Sequence, residues 1–216
     1  MLGRSECDHC HKVLGIADLI PIVSWLLLGR RCRHCGARLS WFYPLVEIAA
    51  LIPVVWSAFY MSGWLLGASA IMGWTLIALA LIDWRTFRLP DGLTLFLLLS
   101  GLIASFGFDR SQWAGHLIGA VAGFVIFSLI ALAYRRLRGR DGLGFGDAKL
   151  LAGLGAWISW GGLPATIFMA AASALVFAII RSLIKKDSVQ ARIPFGPFLA
   201  LAGWIVWLYG PLVLGG

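Results

Sequence analysis

The stretch Trp64-Leu65-Leu66-Gly67-Ala68-Ser69-Ala70-Ile71-Met72-Gly73-Trp74-Thr75-Leu76-Ile77-Ala78-Leu79-Ala80-Leu81-Ile82 carries no charge and ends on Asp83. An α-helix needs about 20 apolar residues to cross the hydrocarbon of a bilayer, so this run reads as a transmembrane helix with a carboxylate at its foot. Six further runs at 42–62, 91–108, 112–134, 147–160, 163–183 and 195–214 read the same way. The run at 147–160 is short, which predicts a tilted helix or one that dips in and returns. With 60% hydrophobic residues, 13% charged residues and a mean hydropathy of +0.88, the chain could not be covered by a soluble surface. The expected fold is an all-α polytopic membrane protein of about seven spans. A strand barrel is disfavoured because the apolar runs are continuous rather than alternating.

Charge predicts the orientation. Lys and Arg are retained on the cytoplasmic side of short loops. Basic residues fill the N-terminal segment (Arg4, Lys12, Arg30, Arg31, Arg33, Arg38) and the joints at Arg85 and Arg88, at 135–149 and at 181–192. The intervening joints around Gly63, Asp109-Arg110 and Gly161-Gly162 contain only Arg110. This pattern predicts a cytoplasmic N-terminus and an external C-terminus, with Asp83 and Asp147 sharing the cytoplasmic face. The net charge of +8 is spread over membrane-proximal loops, which points to anionic lipid and away from nucleic acid. The polar, Cys-containing opening is unlike a signal peptide, so insertion is expected to rely on the later spans.

Cys7-x-x-Cys10 and Cys32-x-x-Cys35 use every cysteine in the chain. Two such knuckles supply the four soft ligands of a tetrahedral Zn²⁺ site, and four protein ligands leave no position for a catalytic water. A structural zinc within a small module at 1–41 is therefore expected. Paired disulfides compete with this reading, but cytosolic thiols stay reduced. A redox dithiol needs only one Cys-x-x-Cys. His9, His11 and His34 could each replace a sulfur, but the set of thiols is complete without them. The apolar run at 19–28 is too short to span.

Carboxylates at the edge of hydrocarbon are costly and therefore read as functional. Asp83 closes a helix, where the macrodipole disfavours the charged form, whereas Asp147 opens one, where the charged form is favoured. That asymmetry suits an aspartyl pair sharing one proton, in which the ionised member activates water and the neutral member polarises a carbonyl. The bland alternative for Asp147 is an N-cap, and Asp91, after Leu89-Pro90, is the better cap candidate. Gly142, Gly144 and Gly146 would permit tight turns and close approach to an extended peptide. A phosphate-binding loop is disfavoured because the Gly-Lys-Ser/Thr ending is absent. His116, the only histidine outside the cysteine segment, is expected near the external side, away from both aspartates.

Taken with the cysteine knuckles, the segment at 20–28 (IPIVSWLLL), Tyr43-Pro44-Leu45-Val46-Glu47, Asp83 with Leu89-Pro90-Asp91, Gly144-Phe145-Gly146-Asp147-Ala148-Lys149-Leu150 and Pro194-Phe195-Gly196-Pro197-Phe198-Leu199-Ala200 resemble the type IV prepilin peptidases over almost the whole chain. The resemblance implies a membrane aspartyl protease of the Gly-x-Gly-Asp type at 42–216 in a bacterial inner membrane, with Asp83 and Asp147 as the catalytic dyad. Its substrates would be the prepilins and pseudopilins of type IV pili and type II secretion. They would be cut on the cytoplasmic side after a glycine that follows a short basic leader. Many members also methylate the new amine with S-adenosylmethionine. The chain departs from the pattern in lacking a first apolar helix before the knuckles, with its Ser-Phe-Leu-Asn type segment, which weakens the methylation expectation. Glu47 reads either as a first-turn helix acid or as a residue near the leader or the methyl donor. Lys149 reads either as a counter-charge to Asp147 or as a snorkelling side chain. Pro194 and Pro197 predict a rigid entry to the last helix, near the site. The rival readings are a proton-coupled transporter relaying through the two aspartates and a zinc-bearing scaffold. A transporter should carry midplane polar groups and internal repeats, which this sequence lacks.

Overall fold

A computed structural model describes residues 6–7, 9–15, 18, 23–108, 110–138, 144–185 and 193–210. The apolar stretch at 19–22, Gly142, Asp109, much of the basic joints at 135–149 and 181–192, and the end of the last expected span lie outside these residues. The chain forms two compact units, Met1–Val55 and Trp56–Gly216.

The apolar runs fold as helices because a backbone in hydrocarbon must satisfy its own hydrogen bonds. After the short α1 (Val23–Leu27) come α2 (Phe42–Ala58), α3 (Gly63–Thr86), α4 (Asp91–Phe108), a 3₁₀ turn (Arg110–Gln112), α5 (Trp113–Arg138), α6 (Phe145–Lys185) and α7 (Gly196–Tyr209). Among the described residues the only strand-like features are two isolated bridges. The protein is an all-α polytopic membrane protein.

The helix count differs from the expected seven spans. Among the described residues four helices are long and apolar enough to cross a membrane, namely Gly63–Thr86, Asp91–Phe108, Arg110–Arg136 and Phe145–Ile184, while Pro44–Ala58 and Gly196–Tyr209 are shorter. The expected fifth and sixth spans form one element, α6, interrupted at Ser159 (φ 61°, ψ 174°). A straight helix of 41 residues would run about 60 Å, twice the hydrocarbon thickness. The two arms fold back instead. Phe177, in the second arm, lies 5.7 Å from Trp84 and 5.6 Å from Phe198 by ring centroids. These partners neighbour Asp83 and Gly196, the level at which the first arm begins. The break falls two residues before the expected Gly161-Gly162 joint, in a backbone region that non-glycine residues rarely enter.

The first arm of α6 is the hub of the larger unit, with Ala148, Leu150, Leu151, Leu154, Ala156 and Trp157 all buried. Lipid is as apolar as leucine, so helices here associate through close packing of small residues rather than through the hydrophobic effect. Gly115, Gly119 and Gly123 on α5 supply that surface. A Cβ at Gly119 would lie 2.6 Å from the Gly155 carbonyl oxygen, and one at Gly123 would lie 2.7 Å from that of Leu151. On the other flank α4 packs Leu97 onto Gly153, and the Trp157 Nε1–H donates to the Leu97 carbonyl at 3.0 Å. Trp207 of α7 meets Trp157 edge-on at 5.2 Å.

Gly119→Val should therefore force α5 off α6 and cost roughly 3 kcal/mol. Gly67→Ala, where an added Cβ meets nothing within 4 Å, should be neutral or slightly stabilising. Melting temperatures of the two variants in detergent provide the comparison.

Candidate active site and metal centre

Asp83 stands in the last turn of α3, and only 5% of it is accessible. The helix stops three residues later because Phe87 adopts a left-handed conformation (φ 54°) and returns its N–H to the Asp83 carbonyl. The carboxylate is held by another element, since the backbone N–H of Gly196 donates to Asp83 Oδ2 at 3.0 Å. Gly196 opens α7 behind Phe195, with Pro197 next, so the rigid Pro-Phe-Gly-Pro entry aims its first N–H at the acid. Sequence reasoning placed this turn near the site but missed the Gly196 donor. The clue available was a glycine between two prolines at a helix start.

Asp147 is the third residue of α6 and is 8% accessible. Its Oδ2 accepts from the Gly144 N–H at 3.3 Å, so the side chain reaches back over the first turn. The cap reading is thus partly met, with Asp147 at the third helical position rather than the capping one. Asp83 and Asp147 line one cavity of about 310 Å³ together with Phe87, Arg88, Leu89, Gly144, Gly146 and Lys149. The two carboxylates thus come from different helices to one cavity.

In the N-terminal unit the two knuckles are copies of one local structure. Cys7 N–H donates to the Lys12 carbonyl and Cys32 N–H to that of Ala37, while His11 N–H returns to Cys7 and Gly36 N–H to Cys32. His11 and Gly36, the residues after the second cysteine of each knuckle, share a left-handed backbone (φ 53° and 69°). All four sulfurs lie within 4.8 Å of one another, and Cys7 and Cys35 are 3.9 Å apart. A tetrahedral zinc with bonds of about 2.3 Å would separate its sulfurs by about 3.8 Å, whereas a disulfide needs about 2.05 Å. Backbone N–H groups of Cys35 and His34 point at the Cys32 sulfur and pull its thiol down to about 7. The Ala37 N–H acts likewise on Cys35, but burial and the neighbouring thiols push that group up to about 11. Four crowded sulfurs cannot all be thiolates without a cation among them. The donor set fits a soft divalent metal, and no histidine belongs to the cluster.

A family model described as "Type IV leader peptidase family" matches residues 70–179, and another, "Bacterial Peptidase A24 N-terminal domain", matches residues 1–61. The curated relatives include the "Prepilin leader peptidase/N-methyltransferase" of Aeromonas salmonicida, 40% identical over 211 residues that cover 97% of this chain and 72% of the relative. Proteins with the same name from Dickeya chrysanthemi (40% identical, 92% of this chain and 71% of the relative) and Burkholderia pseudomallei (37%, 99% and 70%) also match. The chain belongs to the type IV leader peptidase family. No solved structure gives a significant match.

The other candidate residues of this leader peptidase family chain take the following places. Lys149 does not reach Asp147: its Nζ donates to Asp91 Oδ1 at 2.6 Å. Asp91, the first residue of α4, thus gives that oxygen to a lysine rather than to a backbone cap. Glu47 is the sixth residue of α2, past the first turn, and is half-buried in the N-terminal unit. Neither Gly144 nor Gly146 has a left-handed backbone. Gly146 is small because a Cβ there would lie 3.0 Å from the Leu89 side chain, while a Cβ at Gly144 would come no closer than 3.6 Å, to Asp147 Oδ2. His116 is buried at the other end of the first α6 arm, its Nδ1 3.1 Å from the Ala156 carbonyl oxygen.

Gly196→Ala tests the grip on Asp83. The added Cβ would sit 2.7 Å from Oδ2, so the carboxylate or the N–H must move. A displacement near 1 Å at a reacting group costs on the order of 100-fold in rate. The expected result is that loss in turnover with a melting temperature lowered by a few degrees at most.

Proposed function

We propose that this chain is the aspartyl endopeptidase that removes the short basic leader of prepilins and pseudopilins, with Asp83 and Asp147 as its catalytic pair. The observation that carries the reading is the meeting of two buried carboxylates from different helices in one cavity, each with one oxygen fixed by a backbone N–H. Two like charges in such a cavity favour a state with a single shared proton. The ionised aspartate takes a proton from water as the oxygen attacks the scissile carbonyl carbon, and the protonated aspartate gives its proton to the carbonyl oxygen. The tetrahedral diol then collapses. Its C–N bond breaks as the amine nitrogen gains a proton from one aspartate and a diol hydroxyl returns a proton to the other, so a carboxylic acid and an amine leave, the pair again holds one proton, and no covalent enzyme intermediate forms.

The amine so released is the acceptor for N-methylation by S-adenosylmethionine, and the names of the relatives motivate extending that second reaction to this chain. Glu47 is the candidate on the methyl-donor side, while Lys149, Gly144 and Gly146 line the cavity on the leader side. Cys7, Cys10, Cys32 and Cys35 would hold a structural Zn²⁺ that stabilises the fold of the segment at 1–41, leaving proteolysis to 42–216. The basic joints support a bacterial inner-membrane location with the N-terminus and both aspartates on the cytoplasmic side and the C-terminus outside. In that arrangement the basic leader meets the site before translocation. A transporter is disfavoured because its acids should lie at midplane.

The test is co-expression with a prepilin in a host without such an enzyme, read by intact mass. Loss of the leader after its glycine is expected, and methylation appears as a further gain of one methyl mass. An unshortened prepilin beside correctly inserted protein would reject the reading.

A further inference from the structure

Beyond the aspartate cavity the larger unit holds a second concavity of about 540 Å³, lined by Leu95, Leu98, Leu102, Leu117, Val121 and Phe124 and reaching Asp91 and Lys149. Exposed apolar residues are ordinary on a membrane protein, so the lining alone carries nothing. What distinguishes this surface is its shape and its end point. α4 and α5 touch each other far less than either touches α6. They meet at the 3₁₀ turn, where the Trp113 Nε1–H donates to the Leu102 carbonyl at 3.2 Å and Trp113 packs edge-on against Phe106. Between them along the first α6 arm lies the concavity, with Ala152 part of its lining. The opening leads to the aspartates. Asp91 and Lys149, paired at 2.6 Å, line both this groove and the cavity of Asp83 and Asp147.

We infer that the groove between α4 and α5 seats the apolar helix that follows the scissile bond of the substrate. The inference rests on the leader-peptidase reading and extends it to the substrate's membrane segment. A substrate of that class is basic before the cut and apolar after it. Its apolar part must therefore start at the aspartates and descend into hydrocarbon. The groove starts beside the aspartates, is apolar beyond Thr94, and follows α4 from Asp91 to Leu102, about 16 Å or three helical turns. One face of a substrate helix would lie along Leu98 and Val121, with the Asp91–Lys149 pair at the rim where the backbone turns toward the catalytic pair. A lipid acyl chain is the competing occupant.

The experiment places a photoreactive benzophenone residue at position 98 of α4 or 121 of α5 and, as a control, at Ile103, which is 74% exposed on α4 outside the groove. Membranes co-expressing a prepilin are irradiated. Adducts with the apolar part of the prepilin are expected from 98 and 121, at about tenfold the yield from 103. Equal yields from all three positions, or adducts with lipid alone, would overturn the inference. Val121→Trp, which fills the groove, should raise KM about tenfold and leave kcat near its starting value. A fall in kcat with KM unchanged would also overturn it. If the parent chain cuts the prepilin while positions 98 and 121 capture none, only the groove assignment fails. If the parent neither cuts nor captures, the peptidase reading fails and takes the groove with it.

Discussion

Cys32→Ser should release the metal from the N-terminal unit and unfold the segment around both knuckles, while the helices of the larger unit keep their structure. Among the described residues of the smaller unit, the buried apolar side chains are Cys7, Cys32 and Trp25 with the prolines Pro44 and Pro53, far too little to stabilise a fold alone. The knuckles are local turns held by a few backbone hydrogen bonds. Metal binding would supply the missing free energy, about 10–16 kcal/mol in small zinc modules at neutral pH. A serine oxygen is a poor substitute for a thiolate on a soft metal. Elemental analysis should give one zinc per chain in the parent and well under half of that in Cys32→Ser. Limited proteolysis should then cut the variant near the knuckles first. Because the ligands must be deprotonated, the parent should hold its metal at neutral pH and lose it as the pH falls. Full zinc occupancy in Cys32→Ser, or a parent that never carries zinc, would remove the structural-metal account.

The legible parts of this protein are those that chemistry writes locally. Four cysteines in two matched spacings signal a sulfur cluster able to hold a metal, and they do cluster, because each knuckle is a short-range turn. The two aspartates are legible because a carboxylate beside an uncharged run of nineteen residues is expensive enough to demand a reason. The reversal within α6 was legible only in part. Glycines at 161 and 162 signalled a joint, but the chain turns at Ser159, against Gly115 of α5, and that choice is tertiary. The partner of Lys149 could not be read either. Two residues along a helix from Asp147 is the wrong face for a pair, and the true partner, Asp91, comes from a helix 58 positions away. The Gly196 N–H was hidden for a similar reason, since a backbone donor carries no side-chain signature and its target lies 113 positions upstream.

Asp83→Asn and Asp147→Asn should each reduce leader cleavage by about 10³-fold with little change in fold. Asparagine keeps the size of the side chain and an oxygen that can accept from Gly196 or Gly144, so the helix ends stay in place. It cannot take a proton from water or deliver one to the departing nitrogen. Because the two groups act as one unit, the double variant should be hardly slower than either single one. Asp91→Asn is the informative control, since Asp91 lines the same cavity but is exposed, and the variant loses only an ion pair with Lys149 worth less than about 1 kcal/mol while Asp83 and Asp147 stay intact. It should keep most of the activity. The deciding measurement is the initial rate of leader release from one purified prepilin by parent, Asp83→Asn, Asp147→Asn and Asp91→Asn proteins in liposomes, each matched for melting temperature. Cleavage by the parent and Asp91→Asn, with Asp83→Asn and Asp147→Asn near background, is the expected pattern. Cleavage persisting in either Asp83→Asn or Asp147→Asn at a rate near the parent's would contradict the catalytic pair.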